Sequence, residues 1–390
     1  MFLSKLARRL ICDTLKAAAN AFQLVCRGRM NDMHSAVRTA WMDRARAFAI
    51  LTVVLCHAVE IIQPFQLEVY TAANWPEWLM RFALFTLGRL GVPLFLGLTG
   101  ALLLPRDYSG AEQLRGFYRK NFVRLLVCVE CWMVLYSFFL VWYHDLPLDW
   151  RRMAGAMTAT GQLQLGHLWY MPMILGMYLL LPFAARAVQG LSVRTVLPVM
   201  AITFAYVSLL PSLNLVLEVF SIAQRESLLD LGFSGGVYGL YILGGWLIGH
   251  KKALAAWPGW MTRLCFAAGY VLTVLFQLWR YHMGFAYKVW YDFAILMLTG
   301  FFLFELFRRS GCKKPGLDRL CLYLSRRSFA VFLLHFPLQR VCCYYGCHVW
   351  LGEALGAQTA VVFVLSLAAS LALISVFSRI PIIRRWLLYM

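Results

Sequence analysis

The sequence predicts an all-α protein that crosses a membrane about ten times. Hydrophobic residues make up 61% of its 390 residues and charged residues only 14%, against roughly 45–50% and about 25% in soluble domains. Its mean hydropathy of +0.67 points the same way. Because neither a soluble fold nor a disordered chain can keep that much apolar surface away from water, both classes are excluded.

Ten apolar stretches are each long enough to cross about 30 Å of hydrocarbon as a helix. Numbered as spans 1 to 10, they cover residues 46–63, 79–104, 121–143, 167–185, 195–211, 233–250, 260–281, 288–307, 328–350 and 357–378. We expect one transmembrane helix from each.

The basic residues predict the orientation of these helices. When alternate loops are assigned to one side, that side collects 29 of the 37 Lys and Arg, the other side receives six, and two lie within span 2. Basic loops stay in the cytoplasm, so both termini are expected there. The net charge of +19 is thereby explained by topology, and no nucleic-acid partner is expected.

The chain is expected to divide into an extension and one membrane domain. Residues 1–40 are basic and partly amphipathic, as expected of a segment lying on the inner leaflet. The alternative is that translation starts at Met30 or Met33 and the extension has no role. Residues 41–390 form the membrane domain, whose cysteines lie mostly inside apolar runs as small hydrophobes, so no metal site is expected.

Span 1 carries the strongest candidate site. Arg46 and His57 are eleven residues apart, so they share one helix face about 16 Å apart along the axis, and Glu60 follows one turn later. An Arg at the inner mouth can bind phosphates, and a buried His beside a carboxylate can act as a general base. The structural alternative is a snorkelling Arg with a His hydrogen-bonded to a backbone carbonyl.

Span 2 and the connection after it hold further charges. Arg89 lies within the bilayer and must find an acceptor or an anion, while nearby glycines are expected to let helices approach closely. The connection is strongly basic, which suits either a nucleotide phosphate or the positive-inside rule. These glycines and basic residues are Gly91, Gly97, Gly100, Arg106, Arg115, Arg119, Lys120 and Arg124.

Spans 4 and 9 contribute the remaining candidates. His167 and Trp169 open span 4 at the predicted outer face, where an aromatic ring can stack on a sugar or anchor the protein in the membrane interface. His335 lies about two turns into span 9. The acids Glu130 and Asp292 are expected to form structural ion pairs with Arg89, Arg280 or Lys288.

Together these motifs resemble the acyltransferase-3 family of multi-span membrane acyltransferases, over residues 43–380. Arg46 and His57 reproduce the family's Arg-x10-His, and residues 92–100, 117–124, 167–182 and 328–335 resemble its other motifs. Pro93 and the lack of an appended esterase domain are similar to the branch that O-acetylates enterobacterial common antigen. Three positions depart from the family pattern, at Thr99, Asn121 and Phe332, and Asn121 leaves only Arg124 of an Arg-x-x-Arg pair.

The resemblance implies transfer of an acetyl group from cytosolic acetyl-CoA to a hydroxyl of a surface or lipid-linked glycan, in the bacterial cytoplasmic (inner) membrane. His57 would be the catalytic base or acyl carrier, and Glu60 would orient its ring. The donor would be bound by Arg46, Arg119, Lys120 and Arg124. The acceptor or mid-channel residues would be Arg89, His167, Trp169 and His335.

Two other functions are compatible with ten spans. A transporter or flippase of lipid-linked saccharides also needs intramembrane charges and aromatic sugar contacts, but no pair of matching broken helices is visible. A glycosyltransferase using a polyprenyl-phosphate sugar predicts an acidic pair near an outer loop, and Asp145 and Asp149 are too isolated for that.

Overall fold

The computed structural model describes residues 40–63, 65–145, 147–311 and 315–390. It is 78% helical, and the described residues form no strand. The expected N-terminal extension lies outside these residues, apart from Ala40. The described part of the chain therefore forms an all-α fold, as predicted.

Fourteen α-helices follow one another along the described residues. They are α1 (Ala40–Ile62), α2 (Trp75–Arg89), α3 (Gly91–Leu103), α4 (Ala111–Phe117), α5 (Arg124–His144), α6 (Trp150–Met157), α7 (Tyr170–Val188), α8 (Val193–Phe204), α9 (Leu210–Val219), α10 (Gly236–Gly249), α11 (Gly259–His282), α12 (Ala294–Arg309), α13 (Pro315–Tyr344) and α14 (Leu355–Phe377). Two π-helical segments, Tyr118–Val123 and Ala205–Leu209, join α4 to α5 and α8 to α9.

Every predicted span falls largely on a helix or a consecutive pair of helices. Seven helical segments of the described chain are long and apolar enough to cross a membrane, which confirms a multi-pass membrane protein. Among the remaining helices, α10 and α12 have only 14 and 16 residues, and the first half of α13 is charged. The count of ten spans and the cytoplasmic termini stay predictions.

The helices differ from the predicted spans at three boundaries. Helix α4 begins at Ala111 and α13 at Pro315, each ten or more residues before the expected start, because charged helical turns outside the hydrocarbon are invisible to hydropathy. Conversely, residues 288–293, which contain Lys288 and Asp292, belong to predicted span 8 but lie outside α12. The Ser212 hydroxyl of α9 accepts a hydrogen bond from the Ala294 amide at 2.8 Å and so fixes the start of α12.

The described chain forms two compact units. The first unit comprises Ala40–Tyr118 and Gly176–Leu322. In it α3 packs closely against α10, because Gly97 faces Gly245 and Gly100 faces the backbone of Ile242, where a Cβ atom would collide. The predicted role of the glycines in close helix approach is thereby confirmed.

The second unit comprises Arg119–Leu175 and Tyr323–Met390. Its C-terminal segment packs along α5, where the Trp132 indole donates to the carbonyl of Leu387 at 2.8 Å. The hydroxyl of Tyr136 donates to the carbonyl of Leu333, tying α5 to α13. These side-chain bonds satisfy backbone groups that lipid could not.

Candidate active site

Helix α1 carries the predicted catalytic face without interruption. Arg46 and His57 therefore lie about 16 Å apart along its axis, as expected. His57 is five residues before the C-terminal end of the helix at Ile62, or roughly 7.5 Å along the axis. The helix thus links a cation near one end to an imidazole near the other.

The His57 ring is held by a carboxylate one turn away. Its Nδ1 atom lies 2.7 Å from Oε2 of Glu60, so this nitrogen contacts a carboxylate, which the structural alternative does not predict. An ionised Glu60 accepts only, so in a neutral His57 ring the proton lies on Nδ1 and the lone pair on Nε2. This tautomer is the one that a general base or a nucleophilic imidazole requires.

Arg89 completes the charged group. Its Nη2 atom lies 3.6 Å from Oε1 of Glu60, and its side chain is only 4% exposed. Arg89 is the last residue of α2. Its carbonyl would accept a hydrogen bond from the amide four residues later, but that residue is Pro93, which has no N–H. The Glu60 carboxylate therefore lies between an imidazole and a guanidinium, which offsets much of the cost of burying it.

Aromatic rings enclose the Arg89 guanidinium. Its Cζ atom lies 4.0 Å from the ring centroid of Trp290, and the rings of Phe85, Tyr287 and Tyr291 lie 4.7, 6.0 and 5.1 Å away. Tyr287 lies in the loop between α11 and α12, where burial raises the pKa of its phenol. The loop side chains therefore face Arg89 as neutral rings, which attract a cation through their faces.

Sequence reasoning missed this aromatic group, because residues 288–293 were assigned to a helix. The signal was present in the run of aromatic residues around Lys288, which comprises Phe285, Tyr287, Trp290, Tyr291 and Phe293. The short non-helical segment turns Trp290 and Tyr291 onto the guanidinium, as a continuous helix from residue 288 would not.

Arg46 lies near a second polar group of the first unit. The Tyr178 phenol interacts with the side chains of Thr99 and Arg46. The Thr99 hydroxyl also donates to the carbonyl of Phe95 at 3.0 Å. Thr99 thus places its hydroxyl between the backbone of α3 and the polar group near Arg46.

The other predicted donor-binding residues lie in the second unit. Arg119 and Lys120 are exposed on the π-helical segment. Arg124 donates through Nε to the carbonyl of Arg385 at 3.1 Å and through Nη2 to that of Met390 at 2.9 Å. Its guanidinium also stacks over Tyr389. Arg124 is therefore engaged by the C-terminal segment.

The two predicted acceptor histidines meet inside the second unit. The rings of His167 and His335 lie 5.5 Å apart, and His167 stacks on Phe336 at 4.6 Å. His335 Nδ1 lies 3.0 Å from the carbonyl oxygen of Val331. Trp169 contacts Tyr170 edge to face and is partly exposed. The structure thus brings the histidines together, and ring contacts through Tyr170 and Phe332 link Trp169 to His167.

The expected ion pairs of Glu130 and Asp292 were wrong. Glu218 takes that position for two of the three cations, at 2.9 Å from Arg280 Nη2 and 2.5 Å from Lys288 Nζ, and Glu60 pairs with Arg89. Glu218 lies near the end of α9, and its partners lie on α11 and in the loop after α11. Its pairing therefore depends on tertiary packing.

Residues 39–379 match the family model described as an acyltransferase domain, Acyl_transf_3. The chain belongs to this acyltransferase-3 family and is a multi-pass membrane acyltransferase. All the residues proposed above for the site fall inside the matched range. Neither curated proteins nor solved structures give a match.

Proposed function

We propose that this protein transfers an acetyl group from cytosolic acetyl-CoA to a hydroxyl of a cell-surface or lipid-linked glycan, across or within the bacterial cytoplasmic membrane. The observation that carries the proposal is the His57–Glu60 hydrogen bond of 2.7 Å on the helix that also holds Arg46. One helix thereby joins an anion-binding side chain to a general base.

His57 would act through Nε2 by one of two routes. In direct transfer, Nε2 takes the proton of the acceptor hydroxyl, the hydroxyl oxygen bonds to the thioester carbonyl carbon, and the carbon–sulfur bond breaks. The CoA thiolate then takes the proton from the imidazolium. Glu60 stabilises that imidazolium and keeps the ring in register.

In the relay route, Nε2 itself attacks the thioester carbon and the CoA thiolate leaves. The acetyl-imidazole then passes its acetyl group to the acceptor oxygen, whose proton returns to the solvent or the thiolate. Donor and acceptor need never meet on this route. Both routes develop negative charge on the carbonyl oxygen, and the neighbouring Arg89 is a cation suited to stabilise it.

Arg46 would hold the phosphates of acetyl-CoA at the cytosolic end of α1. The further donor-binding cations that the sequence predicts, Arg119, Lys120 and Arg124, lie in the second unit, where the C-terminal segment engages Arg124. The glycan acceptor, the acetyl donor and the placement in the enterobacterial common antigen branch rest on the sequence motifs. The His57–Glu60 pair supports them, because it is suited to take a proton from an uncharged hydroxyl.

The test is acetyl-CoA turnover by the purified protein in detergent or nanodiscs. We expect slow hydrolysis of acetyl-CoA without acceptor, and none by His57→Ala. Acid quenching followed by peptide mass spectrometry distinguishes the routes, because only the relay adds one acetyl group to the peptide containing His57. A protein that neither binds nor hydrolyses acetyl-CoA contradicts the proposal and favours a transporter of lipid-linked saccharides.

The acceptor is identified separately. Mass spectrometry of surface glycans from a deletion strain should show the loss of O-acetyl groups, which the wild-type gene restores and the His57→Ala gene does not. An unchanged glycan profile would remove the glycan from the proposal while leaving acyl transfer intact.

A further inference from the structure

The second unit contains a pocket of about 370 Å³ that the reaction described above does not use. It is formed by the C-terminal end of α5, the loop before α6, the first turn of α6, the residues before α7, and Arg340 of α13. This volume is within the range of small-molecule sites, which lies at roughly 300–1,000 Å³.

The pocket is cationic. Arg152 and Arg340 both line it, and the lining carboxylate of Asp149 is already the N-cap of α6, accepting from the Arg152 amide at 2.9 Å. Neither arginine forms an ion pair with any described residue. Two guanidinium groups facing one cavity are suited to a phosphate or a carboxylate.

Two buried polar atoms in the lining have no hydrogen-bond partner among the described residues. They are Oε1 of Gln164 and Nε of Arg340. Gln164 is only 4% exposed, and its Nε2 donates to the hydroxyl of Ser137 at 3.1 Å, which fixes the amide. Because buried polar groups are nearly always hydrogen-bonded, the Oε1 atom of Gln164 is suited to accept from a ligand hydroxyl.

Aromatic rings form the apolar part of the wall. Phe139 and Tyr143 both line the pocket and stack with centroids 5.5 Å apart and planes at 20°. The Arg340 guanidinium lies between Tyr143 and Phe336, at 6.0 and 5.3 Å from their centroids. An aromatic face beside a fixed amide and two cations favours a polar ring that carries an anionic group.

We propose that this pocket binds an acidic sugar unit of the acceptor, either a sugar phosphate or a sugar carboxylate. The arginines would hold the anion, Gln164 would accept from a ring hydroxyl, and Tyr143 would contact the sugar face. This inference rests on the proposed function, because it names the chemical class of the glycan that would receive the acyl group.

The test uses the full-length protein in nanodiscs of uncharged lipid, with glucose 1-phosphate and glucuronate as probes and titration calorimetry as readout. Arg340→Gln and Arg152→Gln should each raise the Kd of both probes about tenfold or more, as expected for a lost charge-assisted hydrogen bond. Arg151→Gln is the matched control, because Arg151 is the neighbour of Arg152 in α6 and does not line the pocket.

Gln164→Leu tests the amide without changing the charge. It should raise the Kd of glucose 1-phosphate severalfold. The Kd of inorganic phosphate should be unchanged, since phosphate has no ring hydroxyl. Equal Kd values in wild type, Arg340→Gln and Arg152→Gln would overturn the proposal. Binding of anionic phospholipid alone would also overturn it. That outcome would appear as bound phosphatidylglycerol that is lost in Arg340→Gln, while neither sugar probe binds the wild type.

Slow acetyl-CoA hydrolysis keeps the two proposals separate. If the arginine variants hydrolyse acetyl-CoA at the wild-type rate and lose only probe binding, the pocket is confirmed as an anion site independent of the donor. If probe binding is lost in the variants but the wild type never hydrolyses acetyl-CoA, the proposed function fails and the pocket stands.

Discussion

The two histidine clusters of this protein differ in what holds their rings. In the first unit His57 is bound to the carboxylate of Glu60, and Arg89 lies beyond it. In the second unit His335 bonds to a backbone carbonyl, and His167 packs against Phe336. A carboxylate stabilises an imidazolium, whereas a backbone carbonyl and an apolar wall mainly fix a neutral ring.

This difference teaches that a histidine inside a membrane is not by itself a sign of proton transfer. Both clusters lie in family-like motifs, the second buried and the first half-buried, and His57 has a charged carboxylate within hydrogen-bond distance. We therefore expect changes in the first cluster to affect the chemical step and changes in the second to affect acceptor use or stability.

The largest effect is expected for His57→Ala. The variant should lose acyl transfer by about 10²–10⁴-fold, the usual contribution of a general base, and by more if His57 carries the acyl group. Turnover of purified protein measures it, with His282→Ala, an exposed histidine of α11, as control. Retention of more than about a tenth of wild-type turnover would be too much for a catalytic base.

Glu60→Gln should reduce kcat about a hundredfold while KM for acetyl-CoA stays within a few-fold, because the amide no longer stabilises the imidazolium. Circular dichroism and size exclusion check that the fold survives. If the variant keeps wild-type kcat, the hydrogen bond to Glu60 serves only packing, and the contrast between the two clusters disappears.

Arg89→Lys should lower kcat by roughly tenfold or more. Lysine keeps the positive charge, but it has no planar group to stack on Trp290 and no fixed direction for its N–H donors. Arg81→Lys on the same helix is the matched control, since Arg81 also stacks on an aromatic ring, with Cζ 3.9 Å from the Trp78 centroid. Equal losses in both variants would indicate a stability effect common to α2.

Arg46→Gln should raise the KM for acetyl-CoA by about tenfold, the effect of one charge-assisted phosphate contact, with an increase that shrinks at high salt. Arg124→Gln should instead lower Tm, because Arg124 holds the C-terminal segment through two backbone carbonyls. The reverse pattern, with KM changed by Arg124→Gln and Tm by Arg46→Gln, would exchange their roles.

The smallest effect is expected for Trp169→Ala, which should raise the acceptor KM severalfold through the loss of a stacking surface. Acetyl-CoA hydrolysis should be unchanged, because it depends on the first unit. Trp350→Ala is the control for a partly exposed tryptophan of the second unit. A lower Tm with normal acceptor use would make Trp169 an interfacial anchor.

The sequence by itself determined the features that depend on local periodicity and composition. Apolar length fixed which segments become helices, and the 3.6-residue repeat placed Arg46, His57 and Glu60 on one helix with His57 and Glu60 one turn apart. The glycines of α3 likewise predicted close helix contact, because residues without a side chain let two helices approach. These features need no knowledge of what lies across the bundle.

Tertiary structure decided which residues meet from different helices. That Arg89 pairs with Glu60, that Trp290 and Tyr291 enclose it, and that Glu218 binds Arg280 and Lys288 follows only from packing. Even the start of α12 depends on a hydroxyl from α9. Hydropathy measures transfer into lipid one segment at a time, whereas buried charges and free amides are satisfied by whichever partner the folded bundle brings within reach.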